Sequence, residues 1–163
     1  MYVEGFFLLA IVGFILITQT AAFVFPEWFK PDLALVFTIW MSFRVSPLVA
    51  ACVTFILGLS VDVFSGGPAG LFAVTYTTAF LIVSESRSVL ETDTLPLRSL
   101  IVFLAALSVG IIVIAAKWFT ASAPMHWAPA KIILRSCAAC LASMALFPAL
   151  DRARNAYLRF SGV

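Results

Sequence analysis

The stretch GLSVDVFSGGPAG, residues 58–70, places one acid, four glycines and a proline inside otherwise apolar sequence. Hydrocarbon tolerates a carboxylate or irregular backbone only where protein or water satisfies the polar groups. We therefore expect Asp62 and its glycines to form a specific structural or functional element.

The composition around this stretch is that of a membrane protein. Of the 163 residues, 63% are hydrophobic and 11% are charged, and the mean hydropathy is +1.12. A soluble domain is typically about half apolar and a quarter charged. We expect an all-α integral membrane protein that forms a single transmembrane domain over residues 1–163, with no soluble catalytic domain. The formal net charge of +2 argues against a nucleic-acid-binding surface.

Six apolar segments approach the length of about 20 residues that a spanning helix needs. They cover approximately residues 5–25, 31–44, 47–61, 66–84, 100–116 and 132–150. The first has no basic region before it and is too long for a cleaved signal peptide, so we expect it to be retained. The prediction is a compact bundle of six transmembrane helices.

The second and third segments are predicted to be separate helices. Pro31-Asp32 suits the first turn of the second helix, and the sequence Arg44-Val45-Ser46-Pro47 marks the turn that follows it. The alternative, one helix over residues 33–61, would be about 43 Å long, beyond a hydrocarbon core of about 30 Å. It would also place Arg44 near the bilayer midplane.

The distribution of Lys and Arg predicts the orientation of the bundle. With six crossings, one side collects Arg44, Arg87, Arg98, Arg152, Arg154 and Arg159, and the other collects Lys30, Lys117 and Lys131. We therefore expect both termini in the cytoplasm and the Asp62 stretch at the outer side.

Two interpretations of Asp62 follow from its position. It is either a ligand or partner contact, or a structural group that caps a helix or pairs with a cation, with Ser65 capping the fourth helix. The predicted topology places Arg135 near the outer side as well. An Asp62–Arg135 pair would lower the cost of burying both charges.

The glycines allow two further interpretations. The Gly66–Gly70 spacing is that of GxxxG, which lets membrane helices approach closely, and the same residues suit a tight turn of the chain. Arg44 is either a headgroup anchor or the partner of Asp151 or of another protein's acid. The candidates for structural or partner-binding roles are Asp32, Arg44, Asp62, Ser65, Gly66, Gly67, Pro68, Gly70 and Arg135.

Catalytic, metal and cofactor sites are not predicted. Cys137 and Cys140 lie among small residues typical of membrane helix packing, and a zinc site needs about four ligands. No nucleophile–base arrangement is visible in the sequence.

The chain resembles the MreD family of bacterial rod shape-determining membrane proteins. Three features carry the resemblance: Pro31-Asp32-Leu33 before a short helix that ends at Arg44, the stretch Gly58–Leu71 with Tyr76 shortly after it, and the length with its six-helix layout. The resemblance implies a non-enzymatic scaffold in the inner membrane, without cofactors, that supports side-wall peptidoglycan synthesis in the elongasome. The implied partners are MreC above all, then MreB, RodA and a penicillin-binding protein.

A rival interpretation remains, because similar motifs occur in the substrate-binding subunits of energy-coupling-factor vitamin transporters, whose fold MreD resembles. Those subunits carry a small-residue face on the first helix and a polar or aromatic outer pocket. Here the first segment offers few small residues, and few polar residues are left for a ligand. Both points favour the shape-determining family.

Overall fold

The computed structural model describes residues 11–13, 31–65, 70–86, 94–120 and 128–160 of the chain. These residues form five helices: α1 (Leu33–Arg44), α2 (Pro47–Ser65), α3 (Leu71–Ser86), α4 (Leu95–Thr120) and α5 (Ala128–Phe160). Residues 11–13, inside the first predicted span, are also helical. The described part of the chain contains no strand, as the sequence predicts for an all-α protein.

Three of these helices contain segments long and apolar enough to cross a membrane, namely Pro47–Ser65, Leu95–Ala116 and Ala130–Tyr157. The apolar helices α1 and α3 are shorter, with 12 and 16 residues. At 1.5 Å per residue α1 is about 18 Å long, well short of a hydrocarbon core of about 30 Å.

Helix α1 forms the centre of the bundle. Every residue from Ala34 to Phe43 is buried, and α1 contacts each of the other four helices. A helix that is apolar on all sides belongs in an interior of this kind. The other helices form two hairpins, α2 with α3 and α4 with α5, and α3 also contacts α4.

The break between α1 and α2 lies where the sequence places it. The backbone of Val45 is extended, and its N–H donates to the carbonyl of Met41 at 3.0 Å. Pro47 then opens α2, where its missing N–H removes no helical hydrogen bond, and the Ser46 carbonyl accepts from Ala50. A continuous helix over residues 33–61 is therefore wrong.

The boundaries of the other helices differ from the predicted ones for local reasons. Helix α1 begins at Leu33 rather than 31, because Asp32 caps it. Helix α2 continues through Asp62 to Ser65, because the Asp62 carboxylate binds N–H groups of the following segment and does not compete for the backbone of its own helix. Helices α4 and α5 extend past both predicted ends. Their earlier starts follow from Pro96 and Pro129, which fit the first helical turn.

Helices α2 and α3 approach each other closely at Gly58. A Cβ atom on Gly58 would lie 2.4 Å from the Cα of Ala73 and 2.8 Å from its backbone nitrogen. Backbone atoms cannot rotate away as a side chain can, so only glycine fits. The GxxxG interpretation placed the close packing at Gly66–Gly70 instead. Gly70 has φ +91° with open space around it, so Gly70 serves the turn; Gly66, Gly67 and Pro68 lie outside the described residues.

We expect Gly58→Ala to destabilise the protein by about 1–3 kcal/mol, the usual range for overpacking, because the methyl group forces α2 away from α3. Unfolding in mixed detergent micelles measures this loss. Gly13→Ala is the matched control, since nothing lies within 4 Å of its Cβ position. Equal stability of the two variants would contradict the assigned contact.

Candidate functional site: two buried carboxylates beside the start of α3

Two buried acids, Asp32 and Asp62, meet the first turns of α3 from different helices. Asp32 precedes α1, and Asp62 lies near the end of α2; both residues are less than 6% exposed. A buried carboxylate is costly unless it is hydrogen-bonded or paired. The partners of each acid therefore reveal what the site can do.

The Asp62 carboxylate caps α3. It accepts hydrogen bonds from the backbone N–H groups of Gly70 (3.1 Å), Phe72 (2.9 Å) and Ala73 (3.1 Å). The first N–H groups of a helix have no partner within the helix, and a carboxylate is favoured near that positive end. The structural interpretation of Asp62 as a helix cap is confirmed, with the acid supplied by the preceding helix.

The predicted cap from Ser65 stays a prediction, because residues 66–69, which lie between Ser65 and α3, are outside the described residues. The Ser65 hydroxyl donates to the backbone carbonyl of Asp62 at 3.2 Å, within the last turn of α2. The positive φ of Gly70 lets the chain turn back so that its N–H reaches the Asp62 carboxylate.

Asp32 is the centre of a second polar cluster. One carboxylate oxygen accepts from the N–H of Leu35 at 3.2 Å, which makes Asp32 the N-cap of α1. The Tyr76 hydroxyl lies 2.7 Å from both carboxylate oxygens, and the Arg135 guanidinium donates to one of them at 3.3 Å. Asp32 thus joins α1, α3 and α5.

The predicted Asp62–Arg135 pair is wrong. Within the described residues Arg135 pairs with Asp32, with the Arg135 side chain 44% exposed and that of Asp32 5% exposed. The backbone N–H groups of α3 already surround the Asp62 carboxylate, so it has no need of a cation. The sequence correctly predicted that Arg135 lies at the same end of the bundle as Asp62, but it paired Arg135 with Asp62 instead of Asp32.

The opposite end of α1 carries a second ion pair. The Arg44 Nε and Nη2 atoms donate to the two Asp151 oxygens at 3.2 and 2.9 Å, and the Trp40 indole N–H donates to Asp151 at 3.0 Å. The pair with Asp151 was one alternative for Arg44, and it is the one observed. Arg98 lies over the Phe43 ring, 5.4 Å from its centroid, at the same end.

Three residues that make these contacts were not identified from their own chemistry in the sequence. Tyr76 entered only through the family resemblance, Gly58 only as the start of the motif, and Trp40 was not singled out. A buried Trp or Tyr usually needs a partner for its polar atom, which is the signal that could have directed attention to Trp40 and Tyr76. No group of three or more His, Cys, Asp or Glu side chains suited to a metal ion occurs among the described residues.

Replacing Asp62 by Ala is expected to lower stability by at least about 2 kcal/mol, because three buried N–H groups lose their acceptor. Asp62→Asn keeps one acceptor oxygen and should lose less. Detergent unfolding of the purified variants measures both changes. If Asp62→Ala were no worse than Asp62→Asn, the capping role would be excluded.

A double-mutant cycle separates the two possible partners of Arg135. We expect Asp32→Asn and Arg135→Gln to be coupled by about 0.5–3 kcal/mol, as for residues in contact. Asp62→Asn and Arg135→Gln should be additive within about 0.5 kcal/mol. Coupling between Asp62→Asn and Arg135→Gln, with additivity between Asp32→Asn and Arg135→Gln, would instead support the Asp62–Arg135 pair.

Comparison with protein families gives a match over most of the chain. The family described as rod shape-determining protein MreD matches residues 2–148, a range that includes both carboxylates, Tyr76 and Arg135. No curated protein matches the chain significantly, and neither does any solved structure. Since the match covers most of the 163 residues, this chain belongs to the MreD family of rod shape-determining proteins.

Proposed function

We propose that this protein is a non-enzymatic scaffold of the bacterial cell-elongation complex. In this proposal it lies in the inner membrane as six transmembrane helices with both termini in the cytoplasm. It binds MreC and, through the complex, associates with MreB, RodA and a penicillin-binding protein. Its membership of a shape-determining family supports the role in rod shape.

The main support for the scaffold role is that both buried acids bind groups of neighbouring helices. Asp62 accepts three backbone N–H groups, and Asp32 is occupied by a helix N-terminus, a tyrosine and an arginine. Carboxylates that perform chemistry or bind ions need an accessible oxygen. These two join helices together, as a rigid binding bundle requires.

The surface beside the Asp62 cap offers a place for a partner's transmembrane helix. Val63 and Phe64 at the end of α2 are 80% and 64% exposed, and Val74 near the start of α3 is 64% exposed. We call these three residues the rim. Since Asp62 fixes α3 against α2, the rim keeps one shape, and packing between membrane helices depends on shape. We propose that the transmembrane helix of MreC docks on the rim.

Depletion in a rod-shaped bacterium tests the function. We expect cells to become round when the protein is depleted and to recover rod shape when it is supplied from a plasmid. A growth requirement for a vitamin, with normal shape, would instead support the substrate-binding subunit of a transporter.

Co-purification tests the rim. Val63→Trp and Val74→Trp should lower the recovery of MreC about tenfold at equal protein level, because the larger side chains block close packing. Leu104→Trp on α4 is the matched control, since Leu104 is 57% exposed and lies on the other hairpin. Unchanged recovery of MreC with both rim variants would place the docking surface elsewhere.

A further inference from the structure

Helix α5 does not stop where its apolar sequence ends. It continues for nine residues beyond Asp151, the residue that Arg44 and Trp40 hold, and ends at Phe160. One side of this extension continues the side of α5 that packs on the bundle. The buried or half-buried residues on that side are Phe147, Leu150, Asp151, Arg154 and Tyr157.

The other side of the extension is exposed and basic. Arg152, Asn155, Ala156 and Arg159 are all exposed; we call these four residues the Arg152 face. Arg152 and Arg159 are seven residues apart, so they lie on the same side of the helix, about 10 Å apart along its axis. Neither has an acidic partner among the residues that the structure describes.

The length of the extension argues for a protein partner rather than lipid. The headgroup layer on each side of a bilayer is roughly 5–8 Å thick. If Arg152 lies at the edge of the hydrocarbon, Arg159 is about 10 Å further along the helix, at or beyond the limit of the headgroups. Arg154 and Tyr157, on the opposite side of the helix from the Arg152 face, are only partly exposed.

We propose that the Arg152 face binds an acidic segment of a protein partner, in which two carboxylates about 10 Å apart meet Arg152 and Arg159. Arginine binds carboxylates through paired N–H groups in a fixed plane, so two arginines on a continuous helix define both a distance and a direction. Asn155 between them can donate to or accept from the partner's backbone. This inference rests on the proposed scaffold role, which places the face in the cytoplasm.

A photo-crosslinking amino acid at Asn155 of the full-length protein, in growing cells, tests this proposal. We expect an adduct with a second protein, mapped by mass spectrometry to a segment that contains acidic residues. Arg152→Gln with Arg159→Gln should reduce the adduct about tenfold. The control Arg152→Lys with Arg159→Lys keeps the charge and should retain more of the adduct.

Charge reversal tests whether the partner's acidic residues contact Arg152 and Arg159 directly. Arg152→Glu with Arg159→Glu should abolish the adduct, and Lys substitutions at the mapped acids of the partner should restore it. An adduct with lipid alone, with a second copy of this chain, or with a segment lacking acids would overturn the proposal. So would failure of the reciprocal change to restore the adduct, or the absence of any protein adduct.

Rod shape and MreC recovery are measured in the same strains. If the Arg152 and Arg159 variants lose the adduct but still bind MreC, the Arg152 face and the rim are independent binding surfaces. Failure of the unaltered protein to maintain rod shape would contradict the scaffold role, whether or not the adduct forms.

Discussion

The Asp62 carboxylate and the three backbone N–H groups that it binds are the interaction on which the bundle depends. The first N–H groups of a helix have no partner within the helix, and leaving them buried without a partner is costly, so the start of α3 depends on another group. Asp62 does so from the last turn of α2. The cap and the contact at Gly58 together hold the hairpin at two places.

The fixed hairpin then explains how a helix as short as α1 is held in the centre. The hydroxyl of Tyr76, which lies on α3, donates to the carboxylate of Asp32, the residue that precedes α1. Asp32 also pairs with Arg135 of α5, while Arg44 at the other end of α1 pairs with Asp151 of the same helix. A 12-residue helix is too short to be positioned by spanning the bilayer, and the two ion pairs position it instead.

This use of polar groups connects the fold with the biological role. Charged residues inside membranes often mark transport or catalytic pathways. Here each buried acid joins helix ends, which is consistent with the scaffold role that we propose for this member of the MreD family. The rim beside Asp62 and the Arg152 face lie at opposite ends of the bundle, so partners in the membrane and beyond it would not compete.

The sequence by itself determined the all-helical membrane character, the break at Arg44-Val45-Ser46-Pro47 and the structural importance of Asp62. Each follows from local chemistry: apolar length, proline geometry and the cost of burying a carboxylate. Only the tertiary structure decided which partner each charge takes and which glycine permits the closest approach. The sequence allowed Arg135 to pair with either of two acids, and in the folded bundle it pairs with Asp32. That pairing, like the approach of Gly58 to Ala73, depends on how separate helices pack together, which no single segment encodes.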